Sequence, residues 1–519
     1  MDTIAVLDFG SQTTQLIGRR IRDLGVYSEV LPGTEPIPGR LKSELKGVIL
    51  GGSPSSVHEA DAPTVHESVF DLGVPILGIC FGLQQLVYRA GGSVSRSQRR
   101  EYGRSPVWFK SEHKGHPLFR SVPDGFVSWM SHGDSLERLP DTFSLIAQSE
   151  NGLPAAVATD NPDIVGIQFH PEVTHCEYGV TILENFALSV CGARRQWSME
   201  AYLDQAREEI RRQVGNRSVL VLISGGVDST VTAALLLNAL EADQVHLMYI
   251  DTGLMRKNES LEVQEGLKRL GARHLHVVDA SARFFDKLEG HEDPEEKRRI
   301  IGDLFMSVQQ HELVSRGIGE DMLAQGTLYT DLIESGKGVG GHAKVIKSHH
   351  NVRSPLVSAK RDAGLLVEPL SWLYKDEVRQ LGRVLDLPES VVGRHPFPGP
   401  GLAVRILGEV TRERVRILQQ ADAIYTEELW ARGLYDKIWQ AFAVLLPVRS
   451  VGVAGDSRAY GSVVALRAVS SSDGMTAEVF PMEPEDLLSI SGRITNEVPE
   501  VGRVVYDVSS KPPATIEWE

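Results

Sequence analysis

Cys80 stands in the run GICFG at residues 78–82, between an apolar stretch, PILGI, and a helix-like one, GLQQLVYRA. That order puts a sulfur on a tight strand-to-helix turn, the G-x-S-x-G elbow with sulfur in place of oxygen. Flanking glycines tolerate the sharp backbone, and a helix N-terminus favours a thiolate. The amide of Phe81 is placed to donate to an oxyanion, and the GGSP run at 51–54 offers a second donor from Gly52. A cysteine nucleophile also needs a base. FHPE supplies His170 with Glu172 two residues on, and in an extended chain that spacing puts the carboxylate on the imidazole's side. Cys80, His170 and Glu172 then form an acyl-transfer trio. A buried structural cysteine with an unrelated surface His-Pro-Glu turn is the plainer reading, and HPEVTHC also admits a metal through His170, His175 and Cys176, although no second ligand cluster accompanies it.

A second constellation, SGGVDST at 224–230, follows the apolar run VLVLI and precedes an apolar helical stretch. Small residues at a helix N-terminus let backbone amides approach an anion, so Ser224, Gly225, Gly226, Val227, Asp228, Ser229 and Thr230 read as a phosphate cradle for ATP. The spacing is neither the G-x-x-x-x-G-K-[ST] loop nor the G-x-G-x-x-G loop. Asp228 would repel phosphate unless a cation bridged the two, which assigns it a Mg2+-linked role. Alternatively, Asp228 and Ser229 simply cap the helix.

These residues need elements to hold them. With 519 residues the chain exceeds what one core usually spans, and roughly two to four domains are expected. Hydrophobic residues at 42% and charged residues at 24% describe an ordinary globular protein rather than a disordered one. The net charge of −15 argues against wholesale binding of nucleic acid or anionic membrane and leaves small molecules as partners. Three cysteines, an odd and sparse set, point to a reducing compartment, and the N-terminus shows neither a basic leader nor a spanning segment, so the expected location is cytoplasmic. Continuous apolar runs, IAVLDF, GVIL, PILGIC and IVGIQF in the first third and VLVLI, VHLMYI and HLHVV in the second, alternate with helical patterns. They predict two doubly wound α/β domains with sheets buried on both faces. HPFPGPG at 395–401 breaks the rhythm, and VVALRAV and RVVYDV beyond it suggest a small α+β domain. The expected domains are 1–196, 197–394 and 395–519.

GICFGLQ, HPE and WMSHGD resemble the class I (triad) glutamine amidotransferases, over about residues 1–194. The resemblance implies attack of Cys80 on the carboxamide of glutamine and release of ammonia; the elbow itself says only acyl transfer. SGGVDST resembles the PP-loop of the ATP pyrophosphatases, which activate a substrate as an adenylate. Members that transfer sulfur need cysteines near that loop, and all three here precede residue 192. The two halves in this order, with IDTGLMR, EEKRRIIGD, IKSHHN and the closing KPPATIEWE, resemble the glutamine-hydrolysing GMP synthetase family along essentially the whole chain. That resemblance implies adenylation of xanthosine 5′-monophosphate (XMP), displacement of AMP by ammonia to give GMP, and a homodimer formed through the C-terminal domain. It assigns Arg298, Lys511 and Glu517 to the purine nucleotide, although Arg298 could be a solvated helix charge and Glu517 a tail carboxylate. His349 and His350 look like a metal pair, where the resemblance favours a substrate loop. The chain departs from the family pattern in RSPLVSAKRDAG after IKSHHN, at Thr330 and at Ser457. A reading from another class is a non-catalytic glutamine or nucleotide sensor on the same folds.

Overall fold

The computed structural model describes the chain apart from residues 12, 112–114, 160–162, 318–321, 335–354, 455, 456 and 472–475. His349 and His350, with the IKSHHN segment, lie outside the described residues, as does the side chain of Ser457. The described chain divides into two compact units, one built on Met1–Tyr202 and the other on Leu203–Leu328 and the C-terminal part of the chain.

Among the described residues the first unit carries a nine-stranded sheet. Its strands are β1 (Thr3–Asp8), β2 (Tyr27–Pro32), β3 (Leu45–Leu50), β4 (Ile76–Ile79), β5 (Ser93–Phe109), β6 (Phe126–Arg138), β7 (Phe143–Ser149), β8 (Pro154–Thr159) and β9 (Ile164–Ile167), in the order β2-β1-β3-β4-β9-β8-β7-β5-β6. The first five positions pair in parallel. Ile4, Ala5, Val6 and Leu7 are all completely buried, as a strand covered on both faces requires. Beyond β9 the sheet continues antiparallel through β8, β7, β5 and β6, an extension that the apolar runs do not announce. FVSWM at the start of β6 alternates buried and half-buried residues, whereas the middle of β8 is buried.

The second unit holds a five-stranded parallel sheet among its described residues: β10 (Val219–Ile223), β11 (Val245–Asp251), β12 (His274–Asp279), β13 (Met322–Ala324) and β14 (Leu366–Val367), ordered β12-β11-β10-β13-β14. The order reverses at β10, and in such sheets ligands bind beyond the carboxyl end of the strands at that point. The helix Val227–Ala239 leaves β10 there, buried on nearly all sides. A third sheet pairs β15 (Gln440–Ala454), β16 (Ser457–Ser470) and β17 (Glu478–Val479) antiparallel, with β18 (Val501–Tyr506) parallel to β16. One apolar cluster runs from Leu220 and Met248 through Leu418 and Tyr425 to Leu466 and Ile494, so both sheets of this unit share a core. The helix Pro294–Arg316 is bounded as its sequence dictates. Asp293 accepts from the Glu296 amide at 2.9 Å, proline opens the first turn, and Gly317 closes the last at φ +70°.

Candidate functional site

Cys80 occupies a backbone conformation of φ 54°, ψ −105°, rarely adopted outside glycine, at the junction of β4 and the helix Phe81–Arg89. Its amide donates to the Ile167 carbonyl at 2.8 Å, which pins the turn to β9. The glycines permit this by close approach. A side chain at Gly82 would place its first carbon 2.3 Å from the Leu50 carbonyl oxygen, and one at Gly78 would sit 2.6 Å from the Leu83 nitrogen. The sulfur is thereby presented over a helix N-terminus whose first residue is Phe81.

His170 and Glu172 meet as the spacing suggested, but not on an extended strand. The chain leaves β9 at Ile167 and bends, and Pro171 stiffens the turn between them. His170 Nδ1 lies 2.7 Å from Glu172 Oε1, and its backbone amide donates to the Trp129 carbonyl at 3.0 Å. With Nδ1 engaged, Nε2 is the nitrogen left to face the Cys80 side chain, with which the ring hydrogen-bonds. Burial favours the neutral ring. The attraction of Glu172, with the contribution of Cys80, outweighs it and holds the imidazole protonated well above the usual histidine range. Gly52 follows β3 and lies against the ring, since a first side-chain carbon there would be 3.7 Å from His170 Cε1. Gly52, Cys80, Phe81 and His170 line a cleft of about 730 Å³ with Gln84, Trp129 and Asp134.

The other cysteines are built differently. Burial pushes the Cys176 thiol up to about 12, and Cys191 is raised further by the same cause. The metal alternative for His170, His175 and Cys176 finds no support. Among the described residues no three His, Cys, Asp or Glu side chains gather to hold an ion, and His175 instead packs on Trp129 with ring centres 4.5 Å apart.

In the second unit, Ser224–Gly226 turns from β10 into the helix Val227–Ala239. Gly225 adopts φ +80°, which leaves glycine the favoured residue. The hydroxyls are drawn inward. Ser229 Oγ donates to the Gly226 carbonyl at 3.1 Å and Thr230 Oγ1 to the same carbonyl at 2.9 Å, while the Ser224 amide donates to Ser229 Oγ at 3.3 Å. Asp228, in the first turn, is gripped by Lys375, whose Nζ lies 2.6 Å from both carboxylate oxygens. Arg394 donates to the Gly225 carbonyl at 3.0 Å and pairs with buried Glu259 at 2.5 Å. Sequence reasoning missed Lys375 and Arg394, because neither stands in a motif that marks a phosphate site.

The three residues assigned to the purine nucleotide sit around the chain's last stretch. Arg298 donates to the Glu519 main-chain oxygen at 2.5 Å, beside fully buried Lys297, which reaches Glu519 Oε2 at 2.6 Å and the Ile406 carbonyl at 2.8 Å. Glu517 is held by Arg405 at 3.0 and 2.8 Å and by Gln440 at 2.7 Å. Lys511 exchanges both backbone hydrogen bonds with Ala477, at 2.7 and 3.0 Å. Arg298 is therefore more than a solvated helix charge. Glu517 is firmly positioned, with lone pairs left to accept from a ligand.

Three stretches of the chain match known families. The class-I glutamine amidotransferase family model matches residues 5–190, the NAD synthase model residues 199–293 and the GMP synthase C terminal domain model residues 427–518. Along its full length the chain is 50% identical to the glutamine-hydrolyzing GMP synthase of Thermosipho melanesiensis over 522 residues, covering 100% of both chains. It is also 50% identical to that of Eremothecium gossypii over 523 residues, covering 100% of this chain and 98% of the other.

Proposed function

Because the chain belongs to the family of glutamine-hydrolysing GMP synthases, we propose that it carries out that reaction with the two constellations described above. Cys80 thiolate attacks the carboxamide carbon of glutamine, and the oxygen gains charge between the Phe81 and Gly52 amides. Imidazolium His170 protonates the departing nitrogen, and ammonia leaves. His170 then takes a proton from water, which attacks the glutamyl thioester and releases glutamate and the sulfur. Glu172 holds the ring's tautomer and charge throughout.

The second unit supplies the acceptor. The C2 oxygen of XMP attacks the α-phosphorus of ATP, pyrophosphate leaves, and the C2 oxygen now carries AMP. Ammonia adds at C2 and AMP departs, with loss of a proton, to give GMP. An amide-like oxygen is a poor leaving group and AMP a good one, so adenylation is the step ATP must drive. The amides of 224–230 cradle the pyrophosphate at the switch point. Mg2+ is typically held by one or two carboxylates plus phosphate oxygens, and Asp228 fits that demand; when bound, the ion would neutralise the pyrophosphate. Lys375 lies beside the same carboxylate and lends the loop positive charge. Arg298, Lys511 and Glu517 bind the purine nucleotide.

Exposed Val448, Val451 and Tyr460 on β15 and β16, with Val505 on β18, support a homodimer through the C-terminal sheet. Free cysteines throughout support a cytoplasmic location. Among the described residues no helix is long and apolar enough to cross a membrane.

The observation that carries the reading is the Cys80–His170–Glu172 arrangement, in a chain that also places a glycine loop at a sheet's switch point. The test is formation of GMP from XMP, ATP, Mg2+ and glutamine. Glutamate released without GMP, with XMP saturating, would overturn it.

A further inference from the structure

Gln168 is almost completely buried, two residues before His170, and its side chain is not part of the acyl-transfer trio. Its Nε2 lies 3.6 Å from Cys80 Sγ. The neighbouring groups fix which end of the amide faces the sulfur. Gln84 Nε2 faces two oxygens, the Asp134 carbonyl at 3.3 Å and Gln168 Oε1 at 3.5 Å, so Gln84 presents its nitrogen there. Gln168 must then turn its oxygen to Gln84 and its N–H to the sulfur. Gln84 also lines the cleft that contains Cys80, and the Asp134 carbonyl it meets also lies 2.9 Å from His132 Nδ1. His132 Nε2 lies 3.3 Å from Glu101 Oε2. Glu101 in turn accepts from Ser149 at 2.7 Å and Asn151 at 2.9 Å.

We propose that Gln168 serves the glutaminase step by donating a hydrogen bond to the Cys80 sulfur, and that Gln84 holds it in the donating orientation so that filling of the cleft is felt at the nucleophile. The inference rests on Cys80 being the nucleophile. A hydrogen bond from a neutral amide stabilises a thiolate more than a thiol, and a buried amide without a partner is costly, so the contact favours the form of the sulfur that attacks. Glu101 and His132 act further back, fixing the carbonyl against which Gln84 is set.

The test compares wild type with Gln168→Met, which keeps the volume and loses the donor, and with Gln168→Glu, which replaces the donor by an acceptor. Two readouts are followed: glutamine hydrolysis against pH, and the rate of Cys80 alkylation by iodoacetamide. Gln168→Met is expected to lower kcat/KM for glutamine roughly tenfold, to slow alkylation below neutral pH, and to move the acid limb of the hydrolysis profile up by about one unit. Gln168→Glu should be worse on all three. Thermal unfolding of both variants separates a lost contact from a lost fold; if Met is unstable, Gln84→Met, which frees Gln168 to rotate, must give the same upward shift. Unchanged alkylation and an unchanged acid limb in stable variants would overturn the proposal. Glutamine hydrolysis surviving Cys80→Ala would instead overturn the nucleophile on which it rests.

Discussion

At His170 burial and charge oppose each other, and charge wins. The raised value means that the ion-paired ring stabilises the fold fully below the ordinary histidine range, and that this contribution is lost as pH rises through the raised value. Catalysis follows the same sign, because above that value no imidazolium is left to protonate the departing ammonia. Replacing Glu172 by glutamine removes the largest attraction, so the basic limb of the glutamine-hydrolysis profile should move to lower pH and kcat/KM should fall on the order of a hundredfold. A basic limb in its original place would take Glu172 out of this role. In the other unit, Asp228→Asn leaves Lys375 facing a neutral amide and weakens the phosphate site. GMP formation should then drop roughly ten- to a hundredfold whether glutamine or added ammonia is the nitrogen source, with glutamine hydrolysis retained. Ammonia-dependent turnover unchanged at limiting Mg2+ would remove Asp228 from the mechanism. That Cys80, His170 and Glu172 come together was legible because a nucleophile elbow and a His-x-Glu pair leave local spacing in the chain. Lys375 and Arg394 were not, because they reach the loop from 147 and 169 positions away and only folding brings them there.

At the scale of elements, continuous apolar runs marked the parallel strands, since a strand covered on both faces has no polar side to alternate. The antiparallel extension β5–β8 leaves weaker marks: β6 alternates, with WMSHGD in its middle, and β8, although buried, is the short alanine-rich PAAVAT. Extended backbone between His170 and Glu172 was also the wrong premise for a contact that forms, because the proline turn brings the two groups together without a strand. Glycine at the elbow carries a sharper consequence. Gly82 packs its backbone on Leu50, and its amide donates to the Gly51 carbonyl at 3.1 Å. Gly82→Ala therefore sets a carbon against main chain that cannot rotate away. It should destabilise the first unit by roughly 2–4 kcal/mol and abolish glutamine hydrolysis. Gly39→Ala, with nothing within 4 Å of the added carbon, should be near neutral. Equal thermal shifts for the two would mean that the elbow is not tightly packed.

Over the whole molecule the two chemistries occupy separate compact units, the first built on one sheet and the second on two, each with its own apolar core. Among the described residues, the cleft that holds the Cys80 sulfur is lined by the first unit, whereas the loop at 224–230, Lys375 and the tail around Glu517 belong to the second. Removing the sulfur should therefore deprive the protein of ammonia from glutamine without touching the site that uses ammonia. Cys80→Ala creates only a small space at a cleft wall, and the fold should tolerate it. Synthesis of GMP from glutamine should vanish, and synthesis from added ammonia should stay within about twofold of wild type, measured at saturating XMP and ATP. Loss of both activities in a variant with unchanged thermal unfolding would show that the synthetase half depends on the intact nucleophile, and the division of labour between the units would fall.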